Sequence, residues 1–407
     1  MSADQTPAVQ APVGALSGIK VLELGQLIAG PFCGTLLGYF GAEVVKIEAP
    51  AGDPIRAWRT LAGDTSVWWR TLSRNKRLVS LDLRTQAGRD VVALLAEQAD
   101  VVIENFRPGR MEAWGLGPDQ LSKTNPKLVY CRVSGYGQTG PMRERPGYAA
   151  VAEAVGGLRF LTGDPNGPSK RANLSIGDTV AGMHAALGVL LALLHRERGG
   201  EAQVVDVSLV ESVLTLLEAT LVEASIGVVR QPSGGTITGL APTGGYPCSD
   251  GEVVIGANGE SVFRRLCTAM GKPELGEDSR FVDNPGRVAH RWELDALIAG
   301  WTRSVTVAEC VILLSQAGVP GGAVQDASQI LTDPQLQSRN FFPEVHVGGH
   351  KMVLPELAPR LSKTPGVTHW AGGDLGQHSA EVLSEWAGMQ PQAIADLVSA
   401  GVLWAGA

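Results

Sequence analysis

The chain is predicted to fold as an α/β protein, with a large doubly wound domain built on a mostly parallel sheet and a smaller α+β domain. Three observations predict this. Apolar strand text, a glycine-bearing turn and helix text alternate from Gly18 onward. The alternation lapses after about residue 225 into short mixed elements. The 407 residues also exceed the ~250–300 at which a single core stops growing.

Taken in order, "IKVLEL", "GQLIAGP", "FCGTLLGYFGA" and "EVVKIE" form a strand, turn, helix and strand, which is a βαβ unit. "RLVSLDL" continues as a strand, "TQAGRDVVALLAEQA" as a helix and "DVVIENF" as a strand, followed by a short helical stretch and the strand "KLVYCRV". Next come the helix "DTVAGMHAALGVLLALLHRER", the strand "AQVVDVS" and a helix spanning "LVESVLTLLEATLVEAS". The run 231–245, "QPSGGTITGLAPTGG", is rich in Gly, Pro and Thr and marks a boundary or a mobile loop. The expected division is a leader at 1–16, the large domain at 17–225, a linker and small domain at 226–335, and a return segment at 336–407 that completes the large domain.

Composition narrows the function classes. A formal charge of -7 gives no broad basic field, so nucleic acid and anionic membrane surfaces are not expected partners, while a local pocket for anionic small molecules stays open. Five widely spaced cysteines without a C-x-x-C pair argue against zinc and a disulfide framework and fit a reducing cytoplasm. The first 16 residues carry neither a basic n-region nor an apolar h-region, and a cytoplasmic protein is expected. Seven histidines without metal-ligand spacing predict no metal site. No G-x-S-x-G elbow is present to suggest a serine hydrolase. A G-x-G-x-x-G spacing at 135–140 is followed by Pro141 and charged residues where a helix should begin, so it reads as chance in a chain with 51 glycines.

Two stretches suggest a nucleotide-like ligand. "RAWRTLAGDTSVWWRTLSRNKR" sets Arg56, Arg59, Arg70, Arg74, Lys76 and Arg77 beside three tryptophans. It reads either as a solvated face with core tryptophans or as a pocket for phosphates and a planar base. "ENFRPGR" places Asn105 and Phe106 where a strand ends, the place at which open α/β sheets bind ligands. Asp178, at the mouth of a long apolar helix, reads as an N-cap whose side chain accepts a backbone N–H, or as an ionised nucleophile able to attack an acyl thioester. Backbone N–H groups of a loop such as "SGG" at 233–235 would serve as oxyanion donors.

The stretches "GIKVLELGQLIAGPFCGTLLGYFGAEVVKIE", "RNKRLVSLDL", "DVVIENFRPG", "VYCRVSGYGQTGP", "SIGDTVAGMHAALGVLLAL" and "VVDVSLVESV" together resemble the family III CoA-transferases. That family includes formyl-CoA and carnitine-CoA transferases and α-methylacyl-CoA racemase. The resemblance implies a Rossmann-like large domain, an interlocked homodimer and a CoA thioester as substrate, with no permanently bound cofactor and no metal. It places Asp178 on the catalytic aspartate that forms anhydride and aspartyl-CoA intermediates. Leu27, Ala29, Asn75, Lys76, Asn105, Phe106, Gly135 and Tyr136 fall in segments that line the CoA site, and Gly234 and Gly235 in the glycine loop that covers the active site. Ile28 stands where formyl-CoA transferase has Gln, which argues against a formate and oxalate pair. The segment matching the racemase's catalytic His offers Tyr148 and Glu153 but no His, so a 2-methylacyl-CoA racemase is the second reading. The stretch from Thr238 to Phe263 looks like relatives that handle short dicarboxylates, which implies succinyl-CoA as donor and a dicarboxylic acid as acceptor. A second carboxylate needs a cation, for which Arg56, Arg59, Arg70 and Arg171 are candidates.

Overall fold

The structure is a computed structural model, and residues 14–347 and 349–406 are described. The expected leader therefore lies, except for its last three residues, outside the described residues. The described residues divide into two compact units, one within 14–158, 172–217 and 340–406, the other of 159–171 and 218–339.

The first unit is built on a seven-stranded sheet. Strands β1 (Lys20–Glu23), β2 (Glu43–Glu48), β3 (Lys76–Leu81), β4 (Val101–Glu104), β5 (Val129–Ser134) and β6 (Val204–Ser208) are parallel, and β7 (Leu403–Trp404) adds antiparallel at the edge. Their order is β7-β3-β2-β1-β4-β5-β6, so the chain reverses direction across the sheet between β1 and β4. Doubly wound sheets bind ligands at such a switch, beyond the carboxyl ends of the strands. Val21 pairs with Val44 on one side and Val101 on the other, which fixes the register.

Both faces of the sheet are covered, which explains why the strands are nearly continuous apolar runs. Val21, Val44, Val101, Ile103, Val129 and Cys131 pack toward α1 (Ala29–Tyr39) and later α5 (Ile176–Glu197). Leu22, Val45, Val79, Val102 and Tyr130 pack toward α3 (Gln86–Glu97), α7 (Ser379–Ala387) and α8 (Pro391–Ser399). Between these elements in sequence lie α2 (Val67–Leu72), α4 (Ala149–Val155) and α6 (Leu209–Leu214). The start of α3 shows a local sequence signal at work, with the Thr85 hydroxyl accepting the Gly88 N–H at 3.0 Å. Close approach of α1 to the sheet depends on Gly34, where a Cβ would lie 2.0 Å from Glu23 Oε2.

The second unit holds an antiparallel sheet of Thr243–Pro247, Glu252–Gly256 and Gly321–Ala323, packed with helices around Phe263, Leu266, Phe281 and Ile298. The 231–245 run lies inside this unit. The single helix expected over 209–225 is in fact broken: α6 ends at Leu214, Glu218 takes φ 49°, and Thr220–Ser225 is a separate helix in the second unit. No Gly or Pro marks that break in the sequence.

Candidate active site

The turn after β1 faces the turn after β4 across the switch point, and Asn105 joins them. Its side-chain oxygen accepts the Gln26 N–H at 2.7 Å, and its amide donates to Gln26 O at 2.8 Å. Asn105 is thus the clamp of the first turn. Phe106 follows with its N–H donated to Glu104 Oε2 at 2.8 Å and its ring edge-on to Trp114 at 5.2 Å. Together with Leu24, Ile47, Pro50 and Leu81 these rings line a cavity of about 320 Å³ at the carboxyl ends of β1 to β4, with Asp82 and Arg84 among its polar lining. Sequence reasoning misses Trp114 and Arg84. A signal exists for Arg84, since "LDLR" carries it just past the end of a buried strand.

Beneath this turn lies a buried charge cluster. Glu23 is fully buried between Lys46, 3.0 Å from its Oε1, and Lys76, 2.7 Å from its Oε2. Burial would discharge Lys46, but Glu23, Asp53 and Glu48 outweigh it and raise its pKa. Lys76 is pulled down to about 8 by burial, against the attraction of Glu23 and with the repulsion of Lys46. Its ammonium donates to Pro31 O at 2.7 Å and is wholly enclosed, so it supports α1 from inside and presents no charge to a ligand. Asn75 is likewise enclosed at φ 59°, donating to Gly38 O and Val367 O and accepting the His369 N–H. Lys76 thus braces the start of α1 and Asn75 its end, and both are spent inside the scaffold.

Asp178 sits in the first turn of α5, three residues past the N-cap. The cap position belongs to Ser175, which makes no side-chain cap bond, so the cap reading of Asp178 is corrected by the helix's earlier start at Ile176. Glu153, buried in α4, accepts the N–H of Gly177 at 3.3 Å, supplying an acceptor to this helix end from a neighbouring helix. One turn beyond Asp178, Gly182 meets the start of α1: a Cβ there would lie 2.8 Å from Ala29 O and 3.0 Å from Phe32 Cβ. This contact brings the helix bearing Asp178 against Ala29 and Phe32 at the start of α1. Gly135 closes against Gly147, where a Cβ would stand 3.0 Å from the Gly147 Cα, and the Tyr136 ring lies against Gly147. The backbone before α4 is thereby held at the end of β5.

The candidate arginines divide. Arg56 forks onto Glu48 with two bonds of 2.7 Å and stacks 3.8 Å from the Trp69 ring, so its charge is used within the scaffold. Arg59, at φ 57°, lies exposed 3.9 Å from the Trp68 ring. Arg70 is 8% exposed, donates to Gly372 O at 3.2 Å and keeps a buried Nε without a hydrogen-bond partner. Burial lowers its pKa, against the opposing pull of Asp374. Arg171 belongs to the second unit, as do Gly234, at φ 65° with its N–H donated to Gly163 O at 2.9 Å, and Gly235, whose Cα faces open space. The basic stretch is thus neither a simple solvated face nor a set of free cations. Among the described residues no cluster of three or more His, Cys, Asp or Glu is placed to hold a metal ion.

A parallel sheet with a cavity beyond its strand ends at the switch point, and a carboxylate in the first turn of a helix packed on that sheet, belong to a class that comparison with known proteins identifies. CoA-transferase family III matches residues 16–379, and the chain belongs to that family. It is 44% identical to the succinyl-CoA–D-citramalate CoA-transferase of Chloroflexus aurantiacus, over 97% of this chain and 99% of that protein. It is 32% identical to the human succinyl-CoA:glutarate CoA-transferase, over 95% and 90%. Among solved structures it superposes on a CAIB/BAIF family protein from Brucella suis with a TM-score of 0.82 and 30% identity, covering 92% of this chain and 100% of that one.

Proposed function

We propose that the chain moves CoA from succinyl-CoA to a short dicarboxylic acid with Asp178 as covalent carrier. The Asp178 carboxylate attacks the thioester carbonyl, the C–S bond breaks, and a succinyl–aspartyl anhydride and CoA thiolate result. The thiolate then attacks the aspartyl carbonyl, expelling succinate and leaving an Asp178–CoA thioester. The acceptor carboxylate attacks this thioester and releases the thiolate, which in turn attacks the acceptor's acyl carbon. The acceptor's CoA ester leaves and the Asp178 carboxylate is regenerated. No electron changes hands, so the cycle calls for no redox cofactor.

The observation that carries this reading is the seating of Asp178 in the first turn of α5, with Gly182 pressing that helix onto the start of α1. The partial positive charge at a helix start favours an anionic carboxylate and a developing oxyanion. The apolar cleft beside Phe106 and Trp114 suits the flat base of CoA, and the 32–44% identity to transferases named for succinyl-CoA supports the donor. Two copies are proposed to associate through the outer face of α5, where Met183, Leu187 and Leu191 are each more than half exposed.

Incubation with succinyl-CoA, trapping with hydroxylamine or borohydride, and peptide mapping test the route. Modification is expected on the peptide bearing Asp178, and D178A is expected to abolish transfer. Turnover without a label at Asp178 overturns the covalent route. Exchange of the α-proton of a 2-methylacyl-CoA in deuterated water would instead place the chain with the racemases.

A further inference from the structure

The turn after β1 is tied residue by residue to buried side chains. Lys46 Nζ donates to Gly25 O at 2.6 Å, Asn105 holds both polar backbone groups of Gln26, and Asp53 receives the Leu27 N–H at 3.2 and 3.1 Å from its two oxygens. Leu27 has φ 62°. A leucine in the left-handed region has no short polar side chain to compensate locally, and such a conformation persists only where its surroundings over-determine it.

Asp53 is well placed to impose it. It is 3% exposed, its own N–H donates to Glu48 Oε2 at 3.0 Å, and its Oδ2 lies 3.2 Å from Lys46 Nζ. Its Oδ1 also accepts the Ile55 N–H at 3.1 Å, which fixes the carboxylate on the short 3-10 turn Pro54–Ala57. Ile55 in turn packs with Ile28, Trp69 and Leu72, and Leu27 and Phe32 lie against that cluster.

We infer that Asp53 is a positioning residue: by taking the Leu27 N–H it holds Leu27 left-handed and so sets the direction in which α1 leaves the sheet toward the helix of Asp178. The catalytic consequence rests on the acyl-transfer reading above, whereas the conformational claim stands by itself. If Asp53 only stabilised its own turn and Lys46, the residue at position 27 would be irrelevant to its effect. If it restrains Leu27, a glycine there, which adopts positive φ without penalty, removes most of the need for it.

The test is a double-mutant cycle of D53A, L27G and D53A/L27G, with D53N as the milder variant. CoA transfer from succinyl-CoA is read as separate kcat and KM values, and amide exchange is followed in the peptide covering residues 24–32. D53A is expected to lower kcat about tenfold or more with little change in KM and to speed exchange in that peptide about tenfold, leaving Gln86–Glu97 unchanged. D53N, which keeps one acceptor oxygen, is expected to lose less. The double variant is expected to be no worse than L27G alone in either readout. Additive losses, or wild-type exchange of the 24–32 peptide in D53A, overturn the inference. Should D53A fail to fold, D53N and D53N/L27G carry the same cycle. A wild type that transfers no CoA with any acid tested would count against the acyl-transfer reading, while the exchange measurements still decide the role of Asp53.

Discussion

Placing one methyl group at Gly182 separates a helix contact that serves the site from ordinary helix propensity. In an exposed helix interior, Gly→Ala stabilises by about 0.8–1 kcal/mol. Gly300, exposed within the helix Arg291–Thr302 and with open space where a Cβ would stand, is the matched control, so G300A is expected to gain that amount and keep wild-type activity. G182A receives the same propensity gain, but its Cβ meets Ala29 O at 2.8 Å and the Phe32 side chain at 3.0 and 3.1 Å. A backbone carbonyl does not swing aside, and overpacking of this kind costs about 1–3 kcal/mol. The net expectation for G182A therefore runs from no change to a loss of about 2 kcal/mol. Moving the contact out to ordinary van der Waals distance displaces α5 from α1 by about half an ångström, and displacements near 1 Å cost on the order of a hundredfold in rate, so a fall in kcat of about tenfold is expected. Thermal unfolding and steady-state CoA transfer from succinyl-CoA, run in parallel on both variants, provide the assay. A G182A protein that gains stability as G300A does and turns over within about twofold of wild type would refute the claim that this contact sets the site.

Two further expectations concern charge and assembly. Burial lifts the Glu104 carboxyl from its ordinary value near 4.5 to about 7 despite Arg132 at 2.8 Å, so between those values the folded chain holds a proton that the unfolded chain has lost. The stability contributed by this group is full below about 4.5 and falls as pH rises toward 7, by at most ~1.4 kcal/mol per pH unit. Denaturant unfolding of E104Q should therefore gain on wild type across pH 5 to 7, and parallel profiles would contradict the raised pKa. For assembly, L191D on the exposed face of α5 is expected to convert a dimer to a monomer in sedimentation, and a monomeric wild type would remove the proposed interface.

Local text was enough to reveal the six parallel strands of the first unit, though not the two-residue antiparallel edge strand Leu403–Trp404. Runs such as "KVLEL" and "DVVIEN" are apolar on both faces because helices cover both, and turns and caps such as Thr85 punctuate them, so nearest-neighbour chemistry dictates these elements. Asp178 was legible as a carboxylate at the start of a long apolar helix, and the resemblance to the family implied a role for it that the trapping experiment tests. What the sequence could not tell was which charges face inward. Lys76 and Arg56 read as ligand cations until Glu23 and Glu48, 53 and 8 residues away in the chain, are seen to bind them. Nor does any local signal mark the break at Glu218 or pair Leu27 with Asp53. Helix and strand periodicity follow from contacts between near neighbours, whereas the left-handed turn at Leu27 and the seating of Gly182 on Ala29 arise from residues far apart in sequence that only the assembled sheet and its helices bring into contact.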